Sequence, residues 1–253
     1  MKPFSHPHLS IVIPAYNEEP NIKRGVQEKV LEYLKKQSYS WEVLFVDDGS
    51  ADKTASLLET FAKKDARVRV IKNPHQGKAA TVMTGMLEAK GEIILFSDMD
   101  QATPLGEVEK FLPLFGEGYD IVIGSRSGRA GMPLLRKVMA YGFVVLRTLV
   151  LRLPFKDTQT GFKAFSREAA RKVFTSLKIF GRRGVIKGAA VKAGFDLEFL
   201  FVARKLGYKI KEVPVVWHHP GTTRVNPLKD SIEGLKDMLL IRFYALKGSY
   251  RGR

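Results

Sequence analysis

Short apolar runs that alternate with helical stretches through the first half of the chain constrain its fold most. Leu9–Ile13, Trp41–Val46, Arg67–Ile71, Ile93–Phe96 and Tyr119–Gly124 read as strands. Such runs are continuous rather than alternating when both faces of a sheet are covered. Between them lie helical segments: one led in by Pro20 and Asn21 and running through about Lys36, then Lys53–Lys63, Gln76–Lys90, and one opened by Thr103-Pro104. Ser50 or Asp52 can cap the second of these, and Pro suits a first helical turn. A helix after each strand predicts an α/β fold with a mostly parallel, doubly wound sheet. The 253 residues suffice for one large domain of that kind.

After Arg126 the pattern changes. Met132–Leu153 reads as an apolar helix carrying Arg136, Lys137, Arg147 and Arg152. Phe162–Phe165 is a short strand, Glu168–Thr175 a helix, Lys178–Lys192 a basic Gly-rich loop and Asp196–Leu206 a helix. Lys209–Trp217 is a strand whose Pro214 places it near a sheet edge. Pro227–Leu246 is an amphipathic helix. The expected division is a domain over 1–226, with a nucleotide-binding half at 1–125 and an acceptor-binding half at 126–226. Residues 227–253 then form a membrane-associating helix with a basic tail.

Three of the strands end in polar clusters: PAYNEE (Pro14–Glu19), DDGS (Asp47–Ser50) and SDMD (Ser97–Asp100). Ligands of open α/β sheets sit outside the carboxyl ends of the strands, so these clusters converge on one edge. Asp98 and Asp100 are hard oxygen donors one residue apart. They can share a divalent cation whose other positions go to water and phosphate oxygens. A bare D-x-D is common and on spacing alone reads more often as a solvated turn after a strand, and Gly77-Lys78 lacks the spacing of a P-loop.

The formal charge of +16 predicts attraction to polyanions: nucleic acid, an anionic membrane surface or phosphorylated substrates. Without cysteine there is neither a disulfide framework nor a thiolate metal site. The opening MKPFSHPHLS lacks the apolar core of a signal peptide. No apolar run reaches the roughly eighteen residues a bilayer span needs; Val138–Leu151 comes nearest and Arg147 breaks it. His218 and His219 have no further ligands around them to make a metal site.

The three clusters resemble the signature of family 2 glycosyltransferases of the GT-A fold. GSR (Gly124–Arg126), DTQTGFKAF (Asp157–Phe165) and GFDLEFLFVARKLGYKIKEVPVVW (Gly194–Trp217) narrow this to the polyprenyl-phosphate sugar transferases. Within that group the chain is most similar to the dolichyl-phosphate glucosyltransferases, with dolichyl-phosphate mannose synthases the near relative. The latter carry a Gln two residues beyond the second Asp and then paired prolines. Here Gln101 follows at once, then Ala102-Thr103-Pro104, which favours the glucosyl branch.

The resemblance implies roles. Asp48 recognises the nucleotide base, Asp47 being the lesser candidate, while Pro14, Ala15, Tyr16 and Glu18 line base and ribose. Gly77 and Lys78 form a loop over the nucleotide. Asp98 touches the ribose or a metal-bound water, Met99 lies beside it, and Asp100 with Gln101 ligates Mg²⁺ or Mn²⁺. Arg126 and Arg136 meet the acceptor phosphate together with Thr158 and Gln159. Asp157 and Asp196 are the carboxylates to test as bases, and Glu198 is placed with Asp196 on the site wall. Gly161-Phe162 shapes the backbone. Arg224, standing where the family has Ser-Lys, grips the diphosphate.

The implied partners are a nucleoside diphosphate sugar (UDP-glucose, or GDP-mannose as the alternative), a dolichyl or polyprenyl phosphate, and an anionic membrane surface. Some such transferases carry transmembrane helices. Here Met132–Leu153 and Pro227–Leu246 are expected to lie in the interface instead, giving peripheral, monotopic binding to a cytoplasmic leaflet. Transfer to a hydroxyl acceptor and sugar nucleotidyl transfer are rival chemistries; the second lacks its Gly- and Arg-rich opening loop. Nucleic-acid binding is the non-enzyme alternative, and no recognition motif supports it.

Overall fold

The computed structural model describes residues 6–126, 134–180, 194–218 and 227–250, with backbone alone at 134–140 and 227–231. Seven strands make one sheet: β1 (Leu9–Ala15), β2 (Trp41–Asp47), β3 (Val68–Lys72), β4 (Ile93–Ser97), β5 (Ile121–Arg126), β6 (Phe162–Ser166) and β7 (Ile210–Val215). Their order is β3-β2-β1-β4-β6-β5-β7. Residues of β1, β2 and β4 alternate between two apolar layers, Val12, Leu44, Ile94 and Phe96 facing one and Ile11, Phe45, Ile93 and Leu95 the other. Both faces are covered, which is why these strands carry no polar alternation.

One layer is made by α2 (Val26–Lys35), α3 (Thr54–Ala62) and the turn after β4; the other by α4 (Lys78–Glu88), α7 (Arg167–Ser176), α8 (Gly194–Lys205) and α9 (Pro227–Leu246). α9 buries Met238 and Ile241 in the second layer, alongside Tyr250. The long α6 (Leu134–Leu151) packs beside α9. Arg147, which breaks the apolar run of this segment, is only 2% exposed. It donates to the carbonyls of Leu153 and Phe155 and, over 3.0 Å, to Thr158 Oγ1, pinning the chain that leaves the helix.

The structure departs from the sequence reading at three places. The helix expected through Lys36 is two, α1 (Glu19–Lys23) and α2, because Gly25 turns the chain with φ of 76°. Pro104 leads into a 3₁₀ turn over Leu105–Lys110 and then the short α5 (Leu112–Gly116). The helix expected from Gln76 starts at Lys78, since the N–H groups of Gln76 and Gly77 are turned to Asp48.

A further feature, on which the sequence is silent, matters most. β6 enters antiparallel between β4 and β5, with Phe162 opposite Ser97 and Lys163 opposite Ile123. An apolar run does not reveal its direction, so sequence alone could not show this. Its effect is to bring the start of β6, with Asp157–Gly161 before it, to the edge where β1, β2, β4 and β5 end. β7 pairs with β5 alone and so is an edge strand, as Pro214 requires.

Candidate active site

At the ends of β1 and β2 the two polar loops are laced together. Asn17 N–H donates to Ser50 Oγ (3.0 Å), Ala51 N–H to Asn17 Oδ1 (2.9 Å) and Glu18 N–H to Thr54 Oγ1 (2.8 Å). Asn17 takes a left-handed φ of 53°, a conformation Asn tolerates better than most residues. Asp47 Oδ2 accepts from the N–H groups of Gly49 and Ser50, both at 3.2 Å, fixing the turn. Asp48 is 2% exposed and accepts from Gln76 N–H (2.9 Å) and Gly77 N–H (2.8 Å) and binds His75 Nδ1 (2.8 Å). The His75 ring lies flat on Tyr16, 4.2 Å between centroids and 7° between planes. Asp48 thus ties the 75–77 loop over the strand ends, and Tyr16–His75 closes its side.

The charged centre lies at the end of β4. Lys78, first residue of α4, pairs with Asp98 Oδ1. Burial would lower its pKa, but Asp98, helped by Asp196 and Asp100, raises it and keeps the ammonium charged. Burial pushes the Asp100 carboxyl above the usual range and nearby Asp98 adds to that, against a hydrogen bond from Ala102 N–H (2.9 Å). Asp196 on α8 is also pushed up by burial, opposed by Lys163, whose Nζ lies 2.8 Å from its Oδ1.

Two carboxylates this close, one made costly to ionise, suit a hard divalent cation. Among the described residues no group of three or more His, Cys, Asp or Glu comes together, so ligand oxygens and water must complete such a shell. Gln101, with φ of 51°, spends its amide Nε2–H on Ser97 Oγ (3.0 Å) and the Asp98 carbonyl (2.9 Å).

β6 supplies the wall. Asp98 N–H donates to the Gly161 carbonyl over 3.1 Å. A Cβ on Gly161 would collide with the Asp98 carboxylate, so any other residue there would displace that side chain. At the end of β5, Arg126 and Asp157 make a two-pronged pair, Nε to Oδ2 at 2.6 Å and a terminal N–H to Oδ1 at 3.0 Å. Burial would raise the Asp157 pKa, but Arg126, Thr160 and the Gln159 N–H hold its carboxyl well below the usual range. The Arg126 guanidinium also lies 5.5 Å from the centre of the Trp217 ring.

Comparison with known proteins gives the family and the fold. The family model described as "Glycosyl transferase family 2" matches residues 10–174. The chain belongs to glycosyl transferase family 2. Curated relatives are named dolichyl-phosphate beta-glucosyltransferase: that of Dictyostelium discoideum is 32% identical, covering 98% of this chain and 78% of the relative. That of Homo sapiens is 32% identical, covering 96% and 77%.

Solved structures share the GT-A fold. Glucosyl-3-phosphoglycerate synthase of Mycobacterium tuberculosis, crystallised with Mn²⁺, UDP and glucosyl-3-phosphoglycerate, is 22% identical with a TM-score of 0.60, covering 94% of this chain and 80% of that one. The mannosyltransferase PcManGT of Pyrobaculum calidifontis, crystallised with GDP-Man and Mn²⁺, is 20% identical with a TM-score of 0.58, covering 100% and 69%.

In this family 2 chain the predicted residues therefore fall into groups. Tyr16, Glu18, Asp48, Gly77, Lys78, Asp98, Asp100 and Asp196 gather at one edge, and Arg126, Asp157 and Gln159 flank it. Three expectations meet a different environment. Met99 is 3% exposed and packs in the layer with Leu105 and Val108, away from the edge. Thr158 is 1% exposed with its hydroxyl on Arg147, so it faces inward rather than toward an acceptor phosphate. Glu198 is fully buried and accepts from the N–H groups of Lys178, Ile179 and Phe180 and from the Tyr250 hydroxyl. It organises that turn instead of lining the site. The Arg136 side chain, Arg224, His219 and most of the Lys178–Lys192 loop lie outside the described residues. His75 and Lys163 were missed; the second stood in view as the Lys of DTQTGFK.

Proposed function

We propose that this chain is an inverting transferase that moves glucose from UDP-glucose onto a dolichyl or other polyprenyl phosphate at a membrane surface. The observation that carries the reading is the Lys78–Asp98 ion pair beside the partly buried Asp100 at one sheet edge, in a chain whose curated relatives bear that activity in their names. A phosphate monoester has its second pKa near ~6 and is already a nucleophile at neutral pH. The site then needs to position two anions that repel each other rather than to remove a proton. The two carboxylates that would be candidate bases are both engaged, Asp157 by Arg126 and Asp196 by Lys163.

Asp98 and Asp100 would hold Mg²⁺ or Mn²⁺, which when bound supplies Lewis-acid stabilisation of the charge on a departing diphosphate. Lys78, at the positive end of α4, and Arg224 bind that diphosphate; Asp48, Gly77, Tyr16, Glu18 and the Pro14-Ala15 backbone frame the nucleotide. Arg126, Arg136 and Gln159 receive the acceptor phosphate. Among the described residues no helix is long and apolar enough to cross a membrane. α6 and α9 instead expose apolar stripes, with Tyr141 at 71%, Leu149 at 74%, Leu239 at 55% and Leu246 at 74%. Stripes of this kind lie in an interface, and the +16 charge favours the anionic cytoplasmic leaflet.

The test is transfer of labelled sugar from UDP-glucose and, in parallel, GDP-mannose to a polyprenyl phosphate with Mn²⁺. Lipid-borne label from UDP-glucose alone, reduced about a hundredfold or more in Asp100→Ala, is the expected result. Label from GDP-mannose overturns the donor assignment. Bound nucleotide with no lipid product overturns the acceptor assignment.

A further inference from the structure

The C-terminal ends of α6, α8 and α9 converge on a recess of about 380 Å³, far from the sheet edge that carries the site. The three helices run in the same direction: Phe143 packs on Gly234 and Gly194 on Asp237 at one end, while Leu151, Phe201 and Arg242 meet at the other. Asp196 reaches the site from the start of α8. Arg204 lies eight residues on, about 12 Å along the axis. The recess is lined by Arg152, Arg204, Lys205 and Arg242 over an apolar floor that includes Phe201 and Leu246.

Cations at helix C-termini often do no more than answer the carbonyl ends. Arg204 does this, donating to the Arg152 carbonyl. Three helix ends amount to about −1.5 charges at most, against four cations. No carboxylate lies within ion-pair distance of any of the four among the described residues. Arg152 moreover sits at φ of 55°, directly after α6, a left-handed conformation where glycine would be relaxed and arginine is disfavoured. The chain keeps a cation at a backbone position that disfavours it.

Leu246 belongs both to the recess and to the exposed stripe of α9, and Leu149 ends the stripe of α6 two residues before Leu151. We infer that the recess binds the phosphate headgroup of an anionic membrane phospholipid, with its acyl chains on the α6–α9 stripes. This is a second lipid site, separate from the acceptor site, that would fix how the molecule lies on the bilayer. The inference rests on the reading that this face meets a membrane, and the test separates the two.

The experiment is flotation of the full chain with phosphatidylcholine vesicles and with vesicles that also contain phosphatidylglycerol. Wild type is expected on both, more tightly on the anionic ones. Lys205→Glu/Arg242→Glu is expected to lose at least about tenfold of the anionic binding while keeping the neutral binding. Lys236→Glu/Lys247→Glu, the same charge change on α9 and at the residue just after it, outside the recess lining, is expected to lose clearly less. Arg152→Gly is expected to weaken anionic binding without lowering Tm, which a scaffolding arginine would not do. Equal losses in the two double variants, or none in the recess variant, overturn the headgroup site and leave the membrane reading standing. Wild type on neither vesicle overturns the membrane reading and the site with it. Competition by inorganic phosphate as strong as by dihexanoyl phosphatidylglycerol marks a free-phosphate site and overturns the lipid assignment.

Discussion

The half of the molecule built on β1–β4 and the half built on β5–β7 use charged residues in opposite ways. In the first, carboxylates and amides stand at strand ends, in contiguous motifs, and hold loops at a surface. The Lys78–Asp98 pair is about a third exposed on each side, so a ligand can exchange into it. In the second, three charges with no place at the site go inside. Lys163 and Glu198 are fully buried and Arg147 nearly so. Lys163 sits between the Phe96 and Phe199 rings at 5.2 and 5.6 Å and holds Asp196. A buried charge is tolerable only with a complete set of partners. Those partners are mostly backbone, so the charge fixes the path of the chain. The same residue types thus make a site in the first half, while in the second Lys163, Glu198 and Arg147 make the scaffold that stands behind Arg126, Asp157 and Asp196.

The sharpest way to break that contrast is Glu198→Ala. It leaves three N–H groups and a tyrosine hydroxyl without their acceptor, and it should destabilise the fold by about 3–5 kcal/mol. Asp98→Asn, by contrast, should leave the urea midpoint nearly unchanged while abolishing transfer. If the two variants have similar midpoints, the division between scaffold and site charge fails.

Gly161→Ala probes where the halves touch. The new methyl would occupy the place of the Asp98 carboxylate, so that side chain must swing away. Transfer should fall about a hundredfold, close to 2.7 kcal/mol, with a Tm drop of only a few degrees. Wild-type activity in this variant would mean that Asp98 does not need its present position.

Much of the first half was legible from sequence because strand, turn and site residues are neighbours there. PAYNEE, DDGS and SDMD each follow an apolar run, and position at a strand end already says what they face. The second half was less legible for a physical reason. Its site residues are placed by the antiparallel entry of β6, and no local pattern encodes direction. Thr158 and Glu198 look like site residues in a list and are core residues in space, because the partners that absorb them, Arg147 and the Lys178–Phe180 backbone, are remote in the chain or unpatterned. Asp48 shows the opposite case. Its motif was read correctly as a strand-end carboxylate, but its partners Gln76 and Gly77 lie nearly thirty residues away, and nothing local says that their N–H groups turn to it.

Asp157→Asn sharpens the comparison through pH. Arg126 holds the folded-state pKa of Asp157 below the unfolded value of about 3.9. A group with a depressed folded pKa contributes its stability fully above the unfolded value and loses it as pH falls through the folded one. The variant should therefore be less stable than wild type by about 2 kcal/mol from pH 5 to 7. That is below the range for a fully buried pair, because Arg126 is a third exposed. The gap should close steadily below about pH 4. Urea melts across that range decide it, and a gap that stays constant to pH 3 would show that the pair is not what stabilises this corner.

The smallest effect is expected at His75, a residue of the first half that behaves partly like scaffold. Its ring carries one of the contacts that hold Asp48 and also stacks on Tyr16. In His75→Ala the Gln76 and Gly77 N–H groups still bind Asp48, so the loop keeps its path. What is lost is an aromatic pair worth about 1 kcal/mol. KM for the nucleotide sugar should rise about fivefold with kcat unchanged. His75→Phe keeps the stack and drops the hydrogen bond, and should restore KM to within about twofold of wild type. If Phe fails where Asn succeeds, the bond to Asp48 is what matters, and His75 then belongs with the buried charges as part of the scaffold.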